Sequence, residues 1–481
     1  MSSIKILVKN TGLLFLSQMI SYILAFFYTL YSARYLGASD FGIISFATAI
    51  TGLFCILTDL GIGTLTTREV ARDYSRTYKY LGNTGSIKIV LSILTVILLT
   101  LFVEISNYQE TTRIVVYIMG LASIITAISG VFTSMFRAYE EMEYQSISEI
   151  LSAVSLFIGI LLCIYFKYNV IAVATVYLIA NSLVLIYNFI VCSKKYGLIH
   201  LQWDTNFLKK LIYDSFPLAI TSIFALVAFK IDTVMLNVML TSSATGWYTA
   251  AFNLMQALIF IPTVYSTAIM PVFSKLFITS QDTLKVSYEK SLKYLAILSV
   301  PIAVGTTILA EKIILFMYGT GYIEAVPVLR TVIWALPAIF FSYILGTSIA
   351  SINKQHETVK ATFLCMVISI IGNAIFIELL GCVGAAIATV ITEIGMVIFY
   401  MFIMHRNGMG VSISKIFIKP ILASIIMGIT IYVLNLDLFS SFIIGAIVYF
   451  IIIILIKTFD DKDKELLKQV LPTKLLNIIQ R

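Results

Sequence analysis

The sequence predicts an all-α polytopic membrane protein with about fourteen transmembrane helices. They form two parallel six-helix repeats, an N-lobe and a C-lobe around a central cleft, plus two extra C-terminal helices. Three observations lead there. The 481 residues are 59% hydrophobic and only 12% charged, with a mean hydropathy of +0.98, where soluble domains carry about 25% charged residues. Apolar runs long enough to cross a bilayer as helices, about 20 residues each, recur along the whole chain. The 33 Lys and Arg residues divide very unequally between the two sides of those runs. A soluble globule of this size could not cover so much apolar side chain, which excludes a soluble enzyme, a nucleic-acid-binding protein and a disordered scaffold.

In chain order, residues 1–10 are a short cytoplasmic N-terminus carrying Lys5 and Lys9. They lead into an apolar stretch too long for a signal-peptide core, so this segment reads as an uncleaved anchor. The N-lobe, 11–192, holds spans at 11–35, 41–64, 83–104, 113–135, 146–166 and 170–192. A cytoplasmic linker, 193–210, precedes the C-lobe, 211–405, with spans at 211–238, 245–272, 290–310, 327–349, 359–379 and 382–404. Two further spans, 415–435 and 438–457, occupy the region 413–458. The tail, 459–481, sets Leu466, Leu467, Val470, Leu471, Leu475 and Leu476 among Lys and Glu. That pattern suits an amphipathic helix at the cytoplasmic interface, broken at Pro472.

Placing the N-terminus inside and alternating sides leaves Arg34, Arg113, Lys167 and Lys312 outside, and Lys230 and Arg330 within helices. The other 27 of the 33 cations fall inside. This asymmetry accounts for the net charge of +8 without nucleic acid, and predicts that both termini are cytoplasmic in a multi-pass cell-membrane protein. The outer loops are all short, the longest being 311–326. None has room for a catalytic acid and an acceptor groove, so no enzyme is expected. The five cysteines form no CxxC pair and His200, His356 and His405 are far apart, so neither disulfides nor a metal site nor a cofactor is expected.

The two halves repeat. Ala172-Val173-Ala174-Thr175-Val176 opens the sixth span and Ala386-Ile387-Ala388-Thr389-Val390 the twelfth, with four of five residues identical. The outer turns after the first and seventh spans are each followed by a glycine, Gly42 and Gly246. Six spans per repeat is an even number, so both halves enter from the same side as parallel repeats. Two such lobes about a cleft suit alternating access, with spans one and seven lining the cleft.

An ionisable group at bilayer depth costs about 2.5 kcal/mol or more, so it needs a partner or a wet cavity. Lys230 and Asp232, two residues apart on the seventh span, point to nearly opposite sides and do not satisfy each other. Lys230 suits a cavity cation or an internal ion pair. Arg34 lies near the outer surface, where snorkelling or a cavity role would account for it, and Arg330 lies about one turn from the outer end of the tenth span. Glu393 and Asp232 are candidate coupling-ion or structural carboxylates. Cations in a cleft suit an anionic cargo, and Arg can hold a phosphate bidentately. At the inner end of the second span, Asp59, Arg68, Glu69 and Arg72 read as a salt-bridged loop or a cytoplasmic gate.

Several short motifs together resemble a known family. Ala33-Arg34-Tyr35-Leu36-Gly37 with Phe41-Gly42, Asp59-Leu60-Gly61 and Arg68-Glu69-Val70-Ala71-Arg72 are similar to the N-terminal pattern of the polysaccharide flippases. These are the Wzx-type branch of the multidrug/oligosaccharidyl-lipid/polysaccharide exporter superfamily. Lys230-Ile231-Asp232, Gly246-Trp247-Tyr248-Thr249-Ala250-Ala251, Pro301 with Gly305, Tyr318-Gly319 and Gly384-Ala385-Ala386 are similar to its second half, so the likeness runs from about residue 8 to 460. The resemblance implies a flippase that moves a polyprenyl-pyrophosphate-linked oligosaccharide to the outer leaflet for surface polysaccharide (O-antigen) synthesis. It implies as partners the lipid-linked oligosaccharide, membrane lipids, and glycosyltransferases or a polymerase of the same pathway. A cation-coupled multidrug or metabolite exporter and a lipid II flippase are the alternatives within the superfamily. The lipid II flippases carry several cavity arginines in the N-lobe, where this chain has Arg34, and the multidrug branch usually stops at twelve helices.

Overall fold

The computed structural model describes residues 3–197 and 200–458, so the expected amphipathic tail, 459–481, lies outside the described residues. Among these the chain is helical, with no strand. Helix α1 (Ser3–Asp59) is two helices joined at Gly37, whose φ of 73° and ψ of 173° are non-helical. Only glycine adopts that φ at no steric cost. The apolar stretch containing it, Gly12–Arg72, is 61 residues long, about 90 Å as a straight helix. That is three times the hydrocarbon thickness of about 30 Å, so it makes two crossings. With that division, the 13 helices long and apolar enough to span among the described residues give fourteen crossings.

Leu60 (φ 43°) and Gly61 (φ 76°) then turn the chain into the amphipathic α2 (Ile62–Arg72), which buries Ile62, Leu65 and Val70. The first repeat is completed by α3 (Thr77–Ile105), α4 (Glu110–Ala138), α5 (Met142–Tyr165) and α6 (Val170–Tyr196). The second begins with α7 (Thr205–Met239) and continues in α8 (Ser242–Leu258) and α9 (Phe260–Thr279), which form one interrupted crossing. It goes on through α10 (Gln281–Tyr318), α11 (Ala325–Val332), α12 (Ala335–Ser351), α13 (Gln355–Leu380) and α14 (Cys382–Arg406). The pair α15 (Ile413–Leu434) and α16 (Leu438–Leu455) closes the described chain.

Most helices match the expected spans to within a few residues. The largest departure is α10, 38 residues long where the apolar run covers only 290–310. Lys285 and Glu289 end the apolar run but not the helix, because charged residues have good helix propensity and reach water beyond the hydrocarbon. At its other end α10 takes in part of the expected outer loop 311–326, which shrinks to a turn after Gly319 (φ 85°).

In α16 the buried stripe is Ser441, Gly445, Tyr449 and Ile453, while Phe439, Phe442, Ile443, Phe450 and Ile451 are exposed. Apart from Ile453, small and polar residues face the neighbouring helices and large apolar ones face outward, as expected of a helix solvated by lipid. Tyr449 donates a hydrogen bond to the Ile297 carbonyl of α10 at 2.7 Å.

The chain divides into two compact units. One comprises residues up to Ala257 with Ile314–Val328 and His356–Met396, and the other Leu258–Ile313, Leu329–Gln355 and the chain from Val397 onward. The first unit therefore draws helices from both sequence repeats. One of its cores gathers Phe46 and Ile50 of α1 with Val103, Val116, Met119 and Val173. Another joins Leu65 of α2 to Leu81, Met135, Cys192 and Leu211. A core of the second unit packs Leu309 against Met427, Ile431 and Tyr449.

Candidate functional site

The first unit is closed at the end where α1 turns at Gly37. A Cβ on Gly42 would run into the Ser242 carbonyl, and a Cβ on Gly246 into the Ala38 carbonyl. The second half of α1 and the start of α8 thus touch backbone to backbone, which only small residues permit. The buried Tyr322 hydroxyl donates to the Ala33 carbonyl at 2.7 Å, and Tyr318 donates to the Ala250 carbonyl at 3.0 Å.

Just beyond this seam lies a buried carboxylate. Asp232 of α7 accepts hydrogen bonds from the Thr233 N–H at 2.6 Å and from the fully buried Tyr248 hydroxyl of α8. Tyr248 also bonds Thr389 Oγ1 of α14 at 2.9 Å. Thr389 Oγ1 also donates to the Ala385 carbonyl of its own helix at 3.0 Å. On α13, Ser369 donates to the Ala228 carbonyl of α7 at 3.2 Å. One turn further along each helix come Asn373 and Asp232, and the buried Asn373 Oδ1 has no partner among the described residues. A buried carboxylate held by hydroxyl and amide donors can take up a proton.

Lys230 is half-buried on α7. Its ammonium lies 5.1 Å from the centre of the adjacent Phe229 ring, with no ion pair among the described residues. It makes no salt bridge with Asp232, though the two charges act on each other electrostatically. Arg34 is exposed near the Gly37 end, again with no ion pair among the described residues. Arg330 is exposed on α11 in the second unit. Glu393 lies one turn beyond Thr389 on α14 and is half-buried; no cation pairs with it among the described residues.

The motif around α2 resolves into two separate groups. Glu69 gathers the arginines, with Arg68 at 3.0 Å, Arg72 at 3.1 Å and Arg76 at 4.0 Å. Next to them Asp73 accepts from the Ser75 hydroxyl and N–H and from Arg76, and these bonds, those of Ser75 foremost, hold its carboxyl below the usual range. Asp59 stands apart from these and pairs with Lys88 of α3 at 2.6 Å. Lys88 is 2% exposed and Asp59 43%; Lys88 also donates to the Ala127 carbonyl at 3.0 Å. Charge sorting along the sequence counts Lys88 with the inner cations, whereas it is a buried helix residue.

Tyr248, Thr389, Asn373 and Lys88 were not legible as site residues. Thr389 did carry a signal, since it lies in the pentapeptide repeated between the halves. Among the described residues no three His, Cys, Asp or Glu side chains are grouped to hold a metal.

The family model for polysaccharide biosynthesis proteins matches residues 7–277, more than half the chain, and that for the MatE family matches 217–375. The chain is 23% identical over 416 residues to the capsular polysaccharide biosynthesis protein CapF of Staphylococcus aureus, covering 83% of this chain and 100% of the relative. It is also 23% identical to the lipid II flippase MurJ of Bacillus subtilis (strain 168), covering 93% and 92% of the two chains. A solved structure of lipid II flippase MurJ in an inward closed conformation superposes with a TM-score of 0.77 at 18% identity, over 91% of this chain and 97% of the other. That likeness extends to the fold. The chain therefore belongs to the polysaccharide biosynthesis protein family, within the multidrug/oligosaccharidyl-lipid/polysaccharide exporter superfamily.

Proposed function

We propose that this protein is a flippase, with no catalytic residue, that carries a polyprenyl-pyrophosphate-linked oligosaccharide from the cytoplasmic to the outer leaflet by alternating access. The observation that carries this is Lys230, a half-buried cation at membrane depth that makes no salt bridge among the described residues. An ammonium there is stabilised by an anionic guest, and a pyrophosphate supplies one. A charged, hydrated head group crosses about 30 Å of hydrocarbon only through such a polar path, while its prenyl chain stays in lipid. Arg34 and Arg330 are the further cations proposed to meet the head group, and the charge asymmetry supports cytoplasmic termini.

The test is deletion and complementation. Loss of the protein should deplete surface glycan and leave the lipid-linked glycan in the inner leaflet. Wild type should restore export, Lys230→Arg largely so, and Lys230→Ala and Arg330→Ala poorly at equal membrane abundance. Normal export by both alanine variants and by their double would sink the cation assignment. Rescue of cells depleted of their lipid II flippase would redirect the cargo to the peptidoglycan precursor.

The bonded set Asp232, Tyr248 and Thr389 favours a second reading, a cation-coupled exporter of drugs or metabolites. Broad drug resistance on expression, with surface glycan unchanged on deletion, would favour that reading.

A further inference from the structure

At the opposite end of the first unit from Gly37, five tyrosines come together from separate elements: Tyr74 after α2, Tyr78 on α3, Tyr139 closing α4, Tyr144 on α5 and Tyr196 closing α6. Tyr139 is the middle ring of a stack. Tyr74 lies on it at 4.6 Å and 22°, and Tyr196 at 4.5 Å and 29°. Tyr74, Tyr78, Tyr139 and Tyr196 border a cavity of about 410 Å³, within the range of small-molecule sites, roughly 300–1,000 Å³. Gly197 (φ 84°) lies beneath Tyr78, where a Cβ would come 3.0 Å from the tyrosine hydroxyl.

The polar groups of this cavity cancel in charge. Glu141 accepts from Lys195 at 2.6 Å and from the Tyr196 hydroxyl at 2.7 Å, and Lys195 lies 4.6 Å from the centre of the Tyr144 ring. The Thr77 and Tyr139 hydroxyls bond each other at 2.8 Å. Tyrosines of a membrane-interface belt need neither a three-ring stack nor an ion pair across a cavity.

We propose that this cavity binds a neutral sugar ring. The paired Lys195 and Glu141 leave no net charge to attract a phosphate. Lys195 already covers the Tyr144 face and would repel a second cation, which disfavours a quaternary ammonium. Exposed tyrosine faces remain, Tyr74 being 51% and Tyr78 58% exposed. Their negative π-clouds suit the C–H face of a pyranose, and the surrounding hydroxyls and carboxylate suit its rim of OH groups. The proposal rests on the flippase reading for its biological sense: the cavity would hold sugars of the glycan remote from the pyrophosphate on the loading side.

The test is saturation-transfer NMR on the purified full-length protein in detergent, with neutral methyl pyranosides of glucose, galactose, N-acetylglucosamine and mannose. Phosphocholine and inorganic phosphate serve as competing probes. Transfer to the ring C–H protons of at least one glycoside is expected. It should fall about fivefold or more in Tyr74→Leu/Tyr78→Leu, the loss of an aromatic stacking contact, and persist in Tyr78→Phe. No transfer from any glycoside, equal transfer in the leucine double variant, or displacement by phosphocholine or phosphate would overturn the proposal. The two readings fail separately: surface glycan unchanged on deletion counts against the flippase reading, whereas ring-dependent sugar binding is read without export.

Discussion

Gly42 lies against the Ser242 carbonyl, and Gly246 lies against the Ala38 carbonyl. Each glycine meets the residue four positions before the other, so one helical turn from each repeat forms the contact. The repeat read from two glycines after two outer turns is thus a packing relationship, and it closes one end of the first unit.

Gly42→Val and Gly246→Val should each force this seam apart. Overpacking costs about 1–3 kcal/mol, which shifts a two-state equilibrium by about 5–150-fold. With Ala38→Cys as reporter, impermeant maleimide should label the valine variants several-fold faster than the parent, and export should fall. Unchanged labelling would mean that the seam does not set access.

Tyr248→Phe removes the hydroxyl shared by Asp232 and Thr389 but keeps the ring. A buried acceptor that loses its donor costs about 1–3 kcal/mol. Thermal unfolding in detergent should register the loss, and a co-substitution Asp232→Asn should recover part of it. If the single and double variants lose the same stability, the bond is energetically silent.

Removing Asp59 leaves Lys88 buried and uncompensated. Loss of one partner from a buried pair costs about 3–5 kcal/mol, less here because Asp59 is half open to solvent. Asp59→Ala should lower Tm and membrane abundance, whereas Asp59→Ala/Lys88→Met should restore much of both. A double variant as poor as the single would assign Asp59 a role beyond neutralising Lys88.

Asp204 caps α7 by accepting from the Phe207 N–H at 3.1 Å and pairs with Lys79 at 3.0 Å. These bonds, the Phe207 N–H first, hold its carboxyl below the usual range. A lowered folded pKa contributes stability above the ordinary carboxylate value of about 3.9, and that contribution is lost as pH falls through the folded value. Amide exchange at Phe207 and Leu208 should therefore accelerate relative to mid-α7 once pH drops below about 4, and Asp204→Asn should show no such step.

The number and order of crossings were legible because hydropathy and charge asymmetry record what lipid demands of a chain. Helix ends beyond the hydrocarbon were less so, as α10 shows, since Lys285 and Glu289 stop an apolar run without stopping a helix. The site was legible in part. Lys230 and Asp232 stood out by charge alone. Tyr248 did not, because tyrosine counts as apolar until its hydroxyl is seen at Asp232. Lys88 was lost among inner cations because it lies near the end of its span. Asp59 was grouped with Arg68, Glu69 and Arg72 by nearness in sequence, yet the turn at Leu60 and Gly61 parts them and α3 supplies the partner.

The reciprocal glycine contact has the logic of an isologous interface folded into one chain, the same patch meeting itself about a twofold axis. In a true dimer a substitution at such a patch is made twice. Here Gly42 and Gly246 are separate codons, so each side of the closure can be tuned alone. That independence makes an asymmetric gate available to a fold whose two repeats are alike.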